Sequence, residues 1–150
     1  MTEPSDSDVR RRMLGYMRDH ITMTIATAYE GQPHAATVFY ANDGFDLYYI
    51  SDPETVHGQD ALANPHVFVT ISQDYAGWQD IQGIQLSGRA QLLEDGGRAN
   101  EVYAAKFPFI SAFPPAAITY WKITAEWVRM TDNTLGFAHK DELDLLQHDH

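Results

Sequence analysis

Apolar positions along this chain follow a helical period once, near the start, and after that mostly a period of two. Val9, Met13, Tyr16 and Met17 fall on one face of a helix over Val9 to Asp19, with Arg10, Arg11, Arg12 and Arg18 on its other faces. Asp8 is placed to cap it, and residues 1–7 read as a frayed lead-in. Thr22 to Tyr29 has the β-branched, roughly alternating pattern of a strand. A turn at Glu30-Gly31-Gln32-Pro33 leads into a second strand over His34 to Ala41. Asn42-Asp43-Gly44 is a strong hairpin signal, and Phe45 to Ile50 forms the third strand. A short helix capped by Thr55 runs to Asn64-Pro65, and His66 to Ile71 is the fourth strand.

Asp74 to Asp80 is a loop carrying Tyr75, Gly77 and Trp78. Ile81 to Glu94 is a long strand with Ile84 and Leu86 on one face, where Gly83 and Gly88 mark bends or close backbone approach. Asp95-Gly96-Gly97 breaks the chain before a helix over Arg98 to Phe107. Prolines 108, 114 and 115 divide the next stretch into turns. Ile118 to Asp132 is a last long strand, with Ile123, Ala125, Trp127 and Arg129 on a shared face. Beyond a turn at Asn133 lie Leu135 to Lys140 and an acidic tail with the composition of a short helix. About six sequential antiparallel strands and few helices predict a mainly β fold, a small antiparallel β-barrel with flanking helices. No linker divides the 150 residues, so a single domain over 1–150 is expected, with 1–7 and about 142–150 as loose tails.

Composition narrows the function classes. The formal net charge is −11, from 21 acidic and 10 basic residues. That field repels phosphate backbones, so neither a nucleic acid nor an anionic membrane is an expected partner. The absence of cysteine excludes disulfides, thiolate zinc sites and a cysteine nucleophile. The N-terminus has no apolar signal core, and no apolar run approaches the roughly 20 residues of a membrane span. A soluble cytoplasmic protein is the expectation. None of the seven histidines stands at short metal-ligand spacing, so no metal site is assigned. Hydrolase-elbow, P-loop and dinucleotide-binding glycine motifs are absent.

What remains is the stretch Ser51 to Ile71. Ser51 ends a strand, and Thr55 and His57 occupy the first turn of the following helix. Hydroxyls, an imidazole and helix N-terminal amides together suit a phosphate. An ordinary N-cap beside a surface histidine fits the same residues. Gln82, Gly83 and Gln85 either bond the polar edge of a planar ring or form a polar strand face. Trp121 and Trp127 either flank such a ring or fill the core.

Three segments in order carry a resemblance: G-Q-P-H-A-A-T-V-F-Y-A (Gly31 to Ala41), Y-Y-I-S-D-P-E-T-V-H-G-Q-D-A-L-A-N-P-H-V (Tyr48 to Val67) and I-Q-G-I-Q-L-S-G-R-A (Ile81 to Ala90). Over about residues 20–140 the chain resembles the pyridoxamine 5′-phosphate oxidase-like FMN-binding split barrels. K-F-P-F (Lys106 to Phe109) and T-D-N…G-F-x-H-K (Thr131 to Lys140) are similar to a bacterial branch of that family. The resemblance implies a split β-barrel homodimer with FMN in a groove at the interface. It places Ala36, Thr37 and Val38 against the flavin and Ser51, Thr55 and His57 on its phosphate. It also implies a polar contact from Gln82 or Gly83 and a late basic contact from His139 or Lys140.

The departures are specific. Ala36 stands where oxidases of the family have an arginine, and Val56-His57 where they have an Arg-Lys pair. The residues that bind vitamin B6 substrates have no match, so pyridoxamine phosphate oxidation is not expected. The resemblance implies an FMN-dependent oxidoreductase acting on a small substrate, with no catalytic side chain assigned. The alternatives are a non-catalytic flavin, deazaflavin or haem binding or sensing protein, and a structural dimer with a vestigial site.

Overall fold

The structure, a computed structural model, describes residues 5–146; His148 and His150 lie outside the described residues. Helix α1 spans Asp6–Asp19 and begins earlier than its apolar period suggests. Its cap is Ser5, whose Oγ accepts from the amide of Asp8, so Asp8 is a first-turn acid rather than the cap. Val9, Met13, Tyr16 and Met17 are all buried, as the helical pattern requires.

Strands β1 (Thr22–Tyr29) and β2 (Gln32–Asp43) form a hairpin with Tyr29 opposite Gln32. The two turn residues, Glu30 and Gly31, have φ of 51° and 78°, the geometry that matches strand twist in two-residue hairpins. Strand β3 (Asp46–Ile50) pairs with the end of β2. Helix α2 (Val56–Ala63) follows, then β4 (His66–Ile71), β5 (Gln82–Leu92), helix α3 (Gly97–Lys106), 3-10 turns within 108–117, β6 (Tyr120–Asp132) and β7 (Lys140–Asp144). The acidic tail therefore starts as a seventh strand where composition suggested a helix. Its alternation decides the matter: Leu143 is buried in the core while Asp144 is exposed, and β7 pairs along β6.

The sheet order is β3-β2-β1-β4-β5-β6-β7, and a further β3–β6 pairing closes it into a split barrel. Residues 120–123 of β6 pair with β3, whereas 127–131 pair with β7. The barrel is thus shut at one end and parted at the other. Along the parted side, Gln32 to Phe39 of β2 have no strand partner beyond β1. Helix α1 bridges this side. The Arg12 guanidinium reaches Asp141 on β7 at 3.0 Å and Asp132 on β6 at 3.1 Å, and the Tyr40 hydroxyl of β2 donates to the Met17 carbonyl. No described helix is long and apolar enough to cross a membrane.

Two cores result. The larger fills the barrel beneath α1, with Met17, Ile25, Leu47, Val69, Leu86, Ile123 and Val128 all fully enclosed. The smaller lies outside the barrel, where α3 and the 3-10 turns cover Ala41, Tyr48 and Tyr120.

One correction concerns β6. Ile123 and Ala125 point inward as expected, but the next inward residues are Val128 and Met130, not Trp127 and Arg129. A β-bulge causes the switch. Ser87 of β5 faces Trp127 and Gly88 faces Ala125, so Glu126 is the extra residue and the alternation reverses past it. Gly88 is required at this point, because a Cβ there would run into the Thr124 carbonyl oxygen and sit 3.0 Å from Ile123 Cγ2. Gly88→Ala is expected to cost about 2 kcal/mol through overpacking at a site that cannot relax. Urea denaturation checks this, and an unchanged midpoint would show that the bulge yields easily.

Candidate functional site

The turn between β3 and α2 is built residue by residue. Ser51 is fixed by its backbone: its amide donates to the Thr119 carbonyl at 3.2 Å, and its carbonyl accepts from Trp121 Nε1 at 3.1 Å. Trp121 is accordingly a core indole. The Asp52 carboxylate accepts from the Glu54 amide at 2.9 Å, and the Thr55 hydroxyl donates to the Asp52 carbonyl at 2.8 Å. Thr55 is the N-cap, as its place in the sequence implies, and its Oγ1 accepts from Gly58 N at 3.1 Å. Gly58 lets the Asp52-Pro53 segment fold tightly onto the helix, since a Cβ there would lie 2.8 Å from the Pro53 carbonyl oxygen. This packing turns His57 back over the strand end.

His57 Nε2 lies 2.7 Å from Ser51 Oγ and 3.4 Å from Thr55 Oγ1. Two hydroxyls and an imidazole therefore meet at the N-terminus of α2. The first-turn amides of Val56 and His57 have no partner among the described residues, and the first turn holds no acid. Such a terminus favours an anion. Burial holds the His57 imidazole below its ordinary range, partly offset by the Asp60 charge, so the ring is neutral near pH 7. No lysine or arginine hydrogen-bonds within the cluster.

Helix α2 is clamped to the β1–β2 hairpin by an interaction the sequence did not disclose. The buried Asp60 Oδ2 accepts from Thr27 Oγ1 and from His34 Nδ1, each at 3.0 Å. Asn64 Nδ2 adds a bond to the Ala28 carbonyl at 2.9 Å. The only local signal is an acid on the apolar side of a short helix.

Ala36, Thr37 and Val38 lie on the unpaired stretch of β2. Ala36 and Val38 lean on the barrel core, and Thr37 is exposed. Tyr40 faces Tyr49. The β2–β3 pairing ends there, and Val38 and Ile50, the residue before Ser51, line one hollow.

Gln82, Gly83, His139 and Lys140 form a separate group. Gln82 pairs with Asp132 at the last residue of β6, and its carbonyl accepts from the Tyr16 hydroxyl at 3.0 Å. Gly83 faces Thr131, which faces Lys140 on its other side. His139 Nε2 is 2.9 Å from Asp141, and the Lys140 ammonium donates to the Ala138 carbonyl at 3.2 Å. Ser51 follows the residue paired with Tyr120, at the opposite end of the 13-residue β6. At about 3.3 Å per residue, the strand separates the two groups by about 40 Å of path. One protomer does not gather all the candidates around a single ligand. Among the described residues, no three metal-ligating side chains converge.

Sequence and structure comparisons agree with this fold. The family model for pyridoxamine 5′-phosphate oxidase matches residues 11–132. The chain is similar to the UPF0306 protein YhbP of Salmonella paratyphi A, at 30% identity over 127 residues, covering 82% of this chain and 84% of YhbP. Its fold is similar to that of a FAD-binding protein from Mesorhizobium loti, with a TM-score of 0.67 and 20% identity over 80% of this chain and 91% of that one. It is also similar to a heme binding protein from Mycobacterium smegmatis, with a TM-score of 0.68 and 21% identity over 96% of this chain and 60% of the other.

The half-buried His57 has a stability consequence with a definite sign. Its pKa is lower folded than unfolded, so the unfolded chain takes up its proton first on acidification. Its contribution is therefore fully present above the ordinary histidine range, about 6.5, and is lost as pH falls below it. His57→Gln is expected to flatten the acid-side loss between pH 7.5 and 5.5 in urea midpoints. An identical pH dependence in wild type and variant would contradict the assignment.

Proposed function

Because the chain belongs to the pyridoxamine 5′-phosphate oxidase family, we propose that it binds FMN as a homodimer and serves as an oxidoreductase for a small molecule. The observation that carries this reading is the meeting of Ser51, Thr55 and His57 at an α2 terminus with two unpartnered amides. The donor set fits a phosphate without a guanidinium. With the proton on Nε2, neutral His57 donates to Ser51 Oγ, and the Ser51 hydroxyl proton is then free to point at a phosphate oxygen. The amides of Val56 and His57 add backbone donors. The unpaired edge of β2 at Ala36 to Val38 offers main-chain groups to the flavin ring. When bound, the flavin supplies the hydride chemistry, and the protein's part is to hold and orient it.

Two features support the homodimer. The groups around Ser51 and Gln82 lie at opposite ends of β6, and a dimer would let the second group of one protomer complete the site of the other. A row apolar but for one serine also crosses the outer face of the sheet: Ala26 faces Phe68, Phe68 faces Ser87, and Ser87 faces Trp127. Phe68 is 40% exposed there, and its ring lies 5.8 Å from that of Trp127. A row of this kind suits burial against a second copy.

Titrating the protein with FMN and following flavin fluorescence tests the reading. Ser51→Ala and His57→Ala are each expected to weaken FMN about tenfold, the value of a lost hydrogen bond to a charged group. FMN affinity unchanged in both variants would overturn the phosphate assignment. A purified protein with a Soret band in place of flavin bands would favour the haem-holding alternative instead.

A further inference from the structure

The smaller core outside the barrel is incompletely covered. Phe39 on the outer face of β2, Ile50 at the end of β3, Tyr103 of α3, and Ile110 and Phe113 of the 3-10 segment surround a hollow of about 420 Å³. Aromatic rings line its approach in sequence. Phe39 lies 5.4 Å from Phe107, Phe107 lies 6.0 Å from Phe109, and Phe109 lies 6.3 Å from Phe113. Phe39, Phe109 and Phe113 are 46%, 50% and 51% exposed. Three half-exposed phenylalanines around one concavity are a costly arrangement unless something covers them.

The lining includes no charged side chain. Lys106, the cation of the K-F-P-F segment, is committed elsewhere. Its ammonium donates to the carbonyls of Met17 and His20 at the end of α1 and sits 4.2 Å from the Tyr40 ring centre. An anion in the hollow would meet no counter-charge and the field of a chain with net charge −11. The hollow also adjoins the proposed flavin site, because Val38 lines it and Ile50, which lines it too, directly precedes Ser51.

We infer that this hollow is the substrate cavity of the flavin site, and that it takes an uncharged planar aromatic molecule of one or two fused rings. The inference rests on the FMN reading for its role and on the lining alone for the class of ligand. The phenylalanine faces supply stacking, and the absence of a charged partner selects against carboxylates, sulfonates and phosphates.

Calorimetric titration of the full chain with 2-naphthol and with naphthalene-2-sulfonate tests it, FMN being titrated separately. The two probes share a ring system and differ in charge. Naphthol is expected to bind at least tenfold tighter than the sulfonate. Phe113→Ala, at a half-exposed position, is expected to weaken naphthol about tenfold and leave FMN affinity unchanged. Equal affinity for both probes, or naphthol binding indifferent to Phe113→Ala, would overturn the inference. Naphthol failing to bind a protein that binds FMN sinks this cavity and leaves the flavin reading standing. Naphthol bound with the expected selectivity by a protein indifferent to FMN supports the cavity and sinks the flavin reading. A halved mass by light scattering in Phe113→Ala would identify the hollow as a contact between copies and overturn the ligand.

Discussion

Strand β6 has more neighbours than one strand can serve along a single edge. It pairs with β5 on one side throughout, while its other side is shared in sequence by β3 and β7. That sharing closes the barrel at one end and parts it at the other. It also leaves the first part of β2 without a second partner, which is where Ala36, Thr37 and Val38 lie. The bulge at Glu126 belongs to the same constraint. It reverses the alternation between the part of β6 held by β3 and the part held by β7, so both halves present apolar residues to one core.

The phosphate-binding reading follows from how this frame holds α2. The Trp121 indole of β6 grips the Ser51 carbonyl, and Asp60 is gripped by Thr27 and His34 of the hairpin. Strand end and helix start are thereby fixed relative to one another, and the Ser51–His57 contact is the product. Such a site is neutral. It uses hydroxyls, amides and an uncharged imidazole where a guanidinium would give a stronger bond. In a chain this acidic, a neutral donor set is a different solution from a basic patch, and it makes the geometry of few groups decisive.

Much of this was legible from residue order. The periods of β1, β4 and α1, the hairpin at Gly31 and the Thr55 cap are local properties, and each appears where the pattern put it. The start of α1 was missed because one serine hydroxyl extends the helix beyond its apolar face. Strand β7 was missed because five acid-rich residues carry little strand signal without β6 beside them. The bulge could not be read from either strand alone, since it exists only in their pairing. At the site, Ser51, Thr55 and His57 were close in sequence and proved close in space. The Asp60 clamp joins residues 26 and 33 positions apart, and the aromatic hollow draws on positions 39, 50, 103 and 113. No spacing rule connects such positions. The division of the candidates between the two ends of β6 likewise needed the register.

The central claim is that the α2 terminus, with Ser51 and His57, recognises a phosphate. Comparing FMN with riboflavin tests it most directly, because the two share the flavin ring and differ only in that group. Several charge-assisted hydrogen bonds predict that FMN binds at least about 100-fold more tightly. Equal dissociation constants for the two flavins would show that no phosphate is held there and would contradict the account.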